Sequence, residues 1–398
     1  MVSNFKPIGS FIRRVDKRNR DLSVTDLRGL SMTKEFRKTT SNIIGTDMSN
    51  YKVVNKNQFA CDFMSVIRVY KLPVVLHAEE EPIIVSPAYP VFEVKDEKVL
   101  LPEYLMMWMR RSEFDRYAFF RCDSAIRGGF GWDELCEVEI PIPDIEIQKE
   151  IVKEYNIIIN RIKLNSQLIQ KLEETAQTIF KEWFEDFEFP DEKGNSYKSS
   201  GGEMEYNEEL DRDIPKSWLV EKIGGYVNLS QGLCVNATTA HLIKNEGLPL
   251  LRITDLIHNT KKIFIDKSVP KKNIATKDDI IITRTGQVGL VFKNKEGVVY
   301  NNCFKIAPKN SLLEENYLYW FLKRKNTFEK MIELAEGSSA QLDLTHGAFS
   351  TLIITIPNKN IQITFSNLIK HIDSYIDIIK NEIWKLEDFK QILLSKMS

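Results

Sequence analysis

The chain has 398 residues, 43% hydrophobic and 10% aromatic, enough for about two domains with buried cores and too apolar for a disordered chain. No apolar run reaches the ~18 residues of a membrane span, and Met1–Pro7 lacks the apolar stretch of a signal peptide, so a cytoplasmic protein with no membrane attachment is expected. The five cysteines (Cys61, Cys122, Cys136, Cys234, Cys303) are odd in number and never spaced as C-x-x-C, which excludes a disulfide scaffold and gives no zinc site.

Net charge is −1, but it is unevenly placed. Residues 1–40 carry ten Lys/Arg (Lys6, Arg13, Arg14, Lys17, Arg18, Arg20, Arg28, Lys34, Arg37, Lys38) against four acids. A basic face of this kind holds phosphates while the molecule stays neutral; an ordinary solvated surface fits the same count. Ile8-Gly9-Ser10-Phe11-Ile12 opens the first half. Short apolar runs such as Leu72-Pro73-Val74-Val75-Leu76 and Val91-Phe92-Glu93-Val94 read as strands between turns, and residues 102–120 as a helix. Ile140-Pro141-Ile142-Pro143 then leads through Gln148 into a long helix.

The apolar positions of that helix step by four and three: Ile151, Tyr155, Ile158, Ile162, Asn165, Ile169, Leu172, Ala176, Ile179, Trp183. A seam held over more than three heptads in some 35 residues predicts one member of a coiled coil roughly 50 Å long. Asn165 is the polar position on it, a residue type that costs stability and fixes register. The aromatic segment Phe180-Lys181-Glu182-Trp183-Phe184-Glu185-Asp186-Phe187 docks the helix end onto a globule, and Pro190 stops the helix. Residues 173–213 carry fourteen acids against four bases, and 191–213, with Gly194, Gly201 and Gly202, read as a linker.

From Ile214-Pro215-Lys216-Ser217-Trp218 onward the sequence repeats itself. Ile223-Gly224-Gly225-Tyr226-Val227 resembles Ile8–Ile12 at an offset of 215 residues. Residues 244–295 form a second basic region, eleven Lys/Arg against five acids, and include the apolar run Ile280-Ile281-Ile282. Cys303-Phe304-Lys305-Ile306 answers Val91–Val94, Tyr317-Leu318 and Phe321 answer Tyr104-Leu105 and Trp108 within an expected helix over 315–335, and Ile354-Thr355-Ile356-Pro357 through Gln362 answers Ile140–Gln148. The second helix carries Phe365, Ile369, Ile372, Ile376, Ile379, Ile383, Leu386, Lys390 and Leu393, nine positions matching the first seam at one offset of 214. The predicted fold is α+β: two tandem globular domains (1–144 and 215–357), two long helices (145–187 and 358–398) forming an antiparallel coiled coil, and a linker at 188–214, with pseudo-two-fold internal symmetry. The core seam is Ile158, Ile162, Asn165, Ile169 and Leu172 against Ile372, Ile376, Ile379, Ile383 and Leu386.

These landmarks taken together, I-x-I-P with its Gln and long helix, Phe-Lys-x-Trp-Phe-x-x-Phe, and a Pro-x-x-Trp start to a second copy, resemble the specificity subunits of type I restriction–modification systems over nearly the whole chain. Thr283-Arg284-Thr285-Gly286-Gln287-Val288-Gly289 and Gly337-Ser338-Ser339-Ala340-Gln341 look like family segments. First-half counterparts near Asp62-Phe63-Met64-Ser65 and Asp123–Gly129 match less closely. The resemblance implies that each globule is a target-recognition domain reading one half of a split, asymmetric double-stranded DNA site, with the helices as a ruler. It implies that two methyltransferase (modification) subunits bind around the helices and restriction (motor–nuclease) subunits join them, in DNA methylation and phage defence. S-adenosylmethionine, ATP and Mg²⁺ then belong to those partners, and no cofactor to this chain.

No catalytic residue is assigned. There is no G-x-x-x-x-G-K-[ST] loop and no Asn/Asp-Pro-Pro-Tyr/Phe segment. Pro190-Asp191-Glu192-Lys193 has the residue types of a nuclease site, but consecutive rather than separated, and the five His have no metal-ligand spacing. For DNA contact, Arg suits phosphate and guanine, Gln and Ser suit base edges, and glycine lets backbone approach the duplex. The candidates are Arg127, Gly128 and Gly129 in the first domain, and Arg284, Thr285, Ser338, Ser339 and Gln341 in the second. Two competing readings are a non-catalytic coiled-coil scaffold joining two interaction domains without DNA specificity, and a stand-alone nuclease.

Overall fold

The structure, a computed structural model, describes residues 5–39, 46–122, 130–336 and 342–397. It forms two compact units: Met1–Gln167 with Lys380–Ser398, and Leu168–Ile379. In chain order the first contains β1 (Phe5–Pro7), β2 (Ile12–Val15), β3 (Arg28–Leu30), β4 (Phe36–Lys38), β5 (Lys52–Val54), β6 (Gln58–Cys61), α1 (Val66–Val69), β7 (Val74–Leu76), β8 (Ile83–Val85), β9 (Val91–Val94), α2 (Pro102–Met109), α3 (Ser112–Arg121), α4 (Trp132–Cys136), β10 (Glu139–Pro141) and the start of α5 (Ile145–Phe184). The second contains β11 (Met204–Asn207), β12 (Arg212–Pro215), β13 (Leu219–Lys222), β14 (Val227–Gln231), β15 (Ile243–Lys244), β16 (Leu248–Leu251), α6 (Ile253–His258), β17 (Phe264–Ile265), β18 (Ile274–Ala275), β19 (Ile280–Thr283), β20 (Val291–Phe292), β21 (Gly297–Val299), β22 (Cys303–Pro308), α7 (Glu315–Lys323), α8 (Lys325–Glu336), α9 (His346–Ser350), β23 (Ile353–Ile356) and the start of α10 (Lys359–Ser395).

The repeat seen in sequence is a repeat of structure. Each unit has a four-stranded antiparallel sheet with the same connectivity, β2-β9-β6-β7 and β14-β22-β19-β20. Phe59 and Phe92 oppose each other on β6 and β9 with rings 4.7 Å apart; Ile282 and Phe304 occupy the matching pair on β19 and β22. The I-x-I-P strand pairs with the N-terminal strand of its own unit, β10 with β1 and β23 with β13. The Ile-Gly signature has a steric reason: a Cβ on Gly9 would lie 2.6 Å from Cys136 Cβ, and one on Gly224 2.6 Å from Ser350 Cβ. Only glycine lets α4 and α9 come so close.

The glutamines that open the long helices are fully buried and make the same three bonds. Gln148 donates to Val99 O and Pro143 O (both 2.8 Å) and accepts from Leu101 N (2.9 Å). Gln362 donates to Leu312 O (2.9 Å) and Pro357 O (2.7 Å) and accepts from Glu314 N (2.8 Å). A buried carboxamide must find partners, and here it satisfies loop backbone that no ladder reaches.

The helices expected over 102–120 and 315–335 are each broken once. Arg111 and Arg324 are extended (ψ 142° and 144°), so α2 and α7 end and α3 and α8 begin in new directions. Both guanidinium groups lie over rings, Arg111 at 5.6 Å from Trp108 and Arg324 at 4.2 Å from Phe321. Arg111 is buried and Arg324 half-buried, and stacking and, for Arg324, Glu185 at 3.1 Å offset the desolvation. α5 likewise ends at Phe184, before Pro190; Phe187 turns the chain at φ +63°. Residues 188–214 are ordered onto the second unit: β11 and β12 form a hairpin, and Phe189 stacks on Tyr197 at 4.6 Å.

The units differ outside this frame. The first inserts the strand pairs β3·β4 and β5·β8; the second inserts the five-stranded sheet β15-β17-β16-β21-β18, with β16 and β21 parallel. The helix pair is antiparallel within each unit. In the first, Leu393, Leu394 and Met397 of α10 join Ile151 and Tyr155 of α5 in one core, and Arg161 bonds Glu382 (Nε 2.8 Å). In the second, Phe180 and Phe184 of α5 meet Phe365 of α10 at 5.6 and 5.0 Å.

Candidate nucleic-acid interface

In the second unit the candidate residues meet where β19 leaves its sheet. Thr283 Oγ1 accepts from Leu290 N (2.9 Å) and donates to Gln287 O, closing the turn to β20. Gly286 (φ +78°) and Gly289 (φ +85°) supply the left-handed conformations, and a Cβ on Gly289 would also meet the Phe328 ring of α8 at 3.0 Å. Gly286 and Gln287 stand exposed; Thr285 is half-buried.

Arg284 is enclosed by partners. Its guanidinium makes two parallel bonds to Asp343 (2.8 and 2.7 Å) and a third to Gln231 Oε1 (2.8 Å). Its backbone N donates to Asn302 O and its O accepts from Leu344 N, both at 2.9 Å. The fork that would grip guanine is already filled by Asp343, so Arg284 ties β14, β19 and the 342–344 segment together and presents Thr285–Gln287. His346 packs edge-on to Phe304 at 4.9 Å, and burial, then the Arg284 charge, holds its imidazole below the usual range. Ser338, Ser339 and Gln341 lie outside the described residues, between Glu336 at the end of α8 and Leu342.

The matching connection in the first unit is Asp62–Pro73, between β6 and β7. Asp62 caps it, accepting from Met64 N (3.0 Å), Ser65 N (3.2 Å) and Ser65 Oγ (2.5 Å). α1 follows and ends on Tyr70, left-handed at φ +56°. Arg127, Gly128 and Gly129 lie outside the described residues, between α3 and Phe130.

Much of the N-terminal basic region is neutralised internally. Arg28 pairs with Asp26 (2.6 Å), Arg18 with Asp16 (2.9 Å) and Arg13 with Glu93 (2.7 Å), while Lys34 is buried on Asp115 (2.7 Å) and Met109 O. Lys17, Arg37 and Lys38 are exposed and make no ion pair among the described residues. In the second unit Lys261 and Lys262, before β17, and Lys267, Lys271 and Lys272, after it, are likewise exposed and without an ion pair there. The candidate residues read from sequence did not include these five lysines. The signal was present as the 244–295 charge excess, but which lysines stay unpaired depends on folded neighbours.

Every seam position is at least half-buried. Asn165, Ile376 and Ile379 are buried, and Ile158, Ile162, Ile169, Leu172, Ile372, Ile383 and Leu386 half-buried, while residues such as Lys163, Leu164 and Ser166 are exposed. The Asn165 side chain faces the Glu382 carboxylate, which Arg161 first and Asn165 after it hold below the usual range. Among the described residues no group of three or more His, Cys, Asp or Glu is placed to hold a metal ion, and no helix is long and apolar enough to cross a membrane.

A family model described as the type I restriction modification DNA specificity domain matches residues 215–388. The type I restriction enzyme MjaIX specificity subunit of Methanocaldococcus jannaschii is 26% identical over 320 residues, covering 75% of this chain and 68% of that protein. The HindI specificity subunit of Haemophilus influenzae is 24% identical over 381 residues, covering 79% of this chain and 80% of that one. The crystal structure of the S subunit of a type I restriction–modification system from M. genitalium superposes with a TM-score of 0.56 over 99% of this chain and 95% of its own, at 14% identity, a likeness of fold.

Proposed function

We infer that this chain, which belongs to the specificity subunits of type I restriction–modification systems, is the sequence reader of such a complex and performs no chemistry itself. Each unit reads one half of a split double-stranded DNA site. The observation that carries this is the repeated frame with unlike inserts: two sheets of the same connectivity, two equally bonded glutamines and two long helices, holding insert sheets that differ. A frame repeated for one purpose would repeat its contact surface as well. Because the two readers differ, the site is asymmetric.

Contact divides by chemistry. The unpaired lysines around β17 and Lys17, Arg37 and Lys38 neutralise phosphates, which positions without specifying. Thr285, Gly286 and Gln287 approach base edges in the second half-site, which Ser338, Ser339 and Gln341 also serve, and Arg127, Gly128 and Gly129 serve the first. The 40- and 37-residue helices, roughly 55–60 Å each at ~1.5 Å per residue, set half-site spacing. Two methyltransferase subunits bind around them and restriction subunits join, carrying S-adenosylmethionine, ATP and Mg²⁺, in the cytoplasm. The test is a footprint of the chain with its methyltransferase partner on genomic DNA fragments. Two protected segments separated by an unprotected gap are expected; a complex that protects no split site leaves the scaffold reading standing.

A further inference from the structure

The Asp62–Pro73 connection occupies the place of the Thr283–Leu290 turn in the repeated frame, yet its surface is apolar where the other is polar. Met64, Ile67 and Tyr70 are 69%, 55% and 63% exposed, and Phe120 at the end of α3 is 73% exposed. α1 packs on α3, and the Tyr70 ring meets Phe119 at 4.6 Å. Isolated exposed apolar residues are ordinary, but three of them, Met64, Ile67 and Tyr70, at three-residue spacing in one short connection are not. The backbone holds them outward, since Tyr70 takes a left-handed conformation that few non-glycine residues adopt and its N closes α1 on Val66 O (2.9 Å).

Charge identifies the occupant. Arg68 donates to the neutral Ser65 hydroxyl (3.0 Å), Lys71 is exposed, and neither has an ion pair among the described residues. The connection's own carboxylate, Asp62, is turned inward onto Met64 N and Ser65. An apolar centre with unneutralised cations beside it matches a duplex edge. In the grooves, the apolar group a base pair offers is the C5-methyl of thymine; set against other base edges, these side chains would leave donors and acceptors unpaired.

We propose that the first unit reads thymine methyl groups through Met64, Ile67 and Tyr70, with Arg68 and Lys71 on the flanking phosphates. This rests on the DNA-reading function inferred above. The test uses the chain with its methyltransferase partner and a duplex carrying both half-sites, defined by methylome sequencing. Thymine is replaced by deoxyuridine in one half-site at a time, which removes the methyl and leaves the protein untouched. Uracil in the first unit's half-site weakens binding about three- to fivefold per contacted methyl, and uracil in the other half-site by less than twofold. Met64→Ser with Ile67→Ser discriminates the two duplexes less than the parent chain does, while assembling normally with the partner. Indifference to uracil, a first half-site lacking A·T pairs, or a double variant that fails to assemble with the methyltransferase overturns the proposal; the last result makes the patch a protein contact. Loss of split-site protection on unmodified DNA instead overturns the DNA-reading function itself.

Discussion

Arg284 engages Asp343 through two parallel bonds and Gln231 through a third, a planar geometry that an ammonium group does not reproduce. Arg284→Lys therefore keeps the charge and loses the anchor. With the pair only partly buried, the expected loss is about 1 kcal/mol in the unfolding of the second unit. In the footprint, the second half-site weakens while the first keeps its protection. An unchanged thermal midpoint and unchanged footprint would show that the anchor is dispensable. From sequence, Arg284 in a glycine-containing turn was a good DNA candidate; that Asp343, 59 residues later, occupies its fork is a fact of folding.

Glu315 gives a pH-dependent prediction. Burial, opposed by Lys293 and assisted by Asp278, Glu314 and Asp279, raises its carboxyl to about 7. The folded value lies above the unfolded one, so its contribution is complete below about pH 4.5 and is lost as pH rises through 7. Glu315→Gln should thus become more stable relative to the parent chain between pH 5 and 8, read as the difference between thermal midpoints. A difference constant across that range would count against the buried carboxyl.

At the scale of elements, the long helices were the most legible part of the sequence, because a four-three spacing of apolar residues sustained over many turns arises from little besides a packed helix seam. The breaks at Arg111 and Arg324 were not: neither position carries Gly or Pro, and the gain that turns the chain there, a guanidinium laid on a ring, comes from tertiary neighbours. The polar 191–213 segment read as linker for a related reason. Its glycines and acids are those of a loop, while the stacking of Tyr197 on Phe189 that holds it appears only once folded.

Asn165 is the seam's polar layer, buried with its side chain against the Glu382 carboxylate. Its equivalent in the second helix is Ile379. Asn165→Ile removes the polar contact to Glu382 from the seam and should relax the helix register. Register is read by cysteine crosslinking at the Arg161 and Glu382 positions, which bond in the parent chain. Crosslinking in Asn165→Ile as efficient and as specific as in the parent register would show that the polar layer does not fix the register.

For the whole molecule, the repeated frame makes the reading domains interchangeable. Replacing residues 1–144 with the corresponding segment of a type I specificity subunit should change one half of the methylated motif and leave the other and the spacing unchanged. Inserting one heptad into both α5 and α10 should lengthen the spacing or prevent assembly. Methylome sequencing reads both, and an altered second half-site after the swap, or an unaltered spacing in an assembled heptad variant, would contradict the division of labour.

Sequence alone determined the duplication, the paired helices, the fold class and the family resemblance, because each is written in spacings and signatures that recur along the chain at nearly constant offsets. Tertiary structure decided which cations are free and which are consumed by carboxylates, where the helices break, and which residues of a loop face outward. Those outcomes depend on partners distant in sequence, such as Asp343 for Arg284 and Asp115 for Lys34, and a charge or hydrogen bond is available to DNA only after those partners have taken theirs.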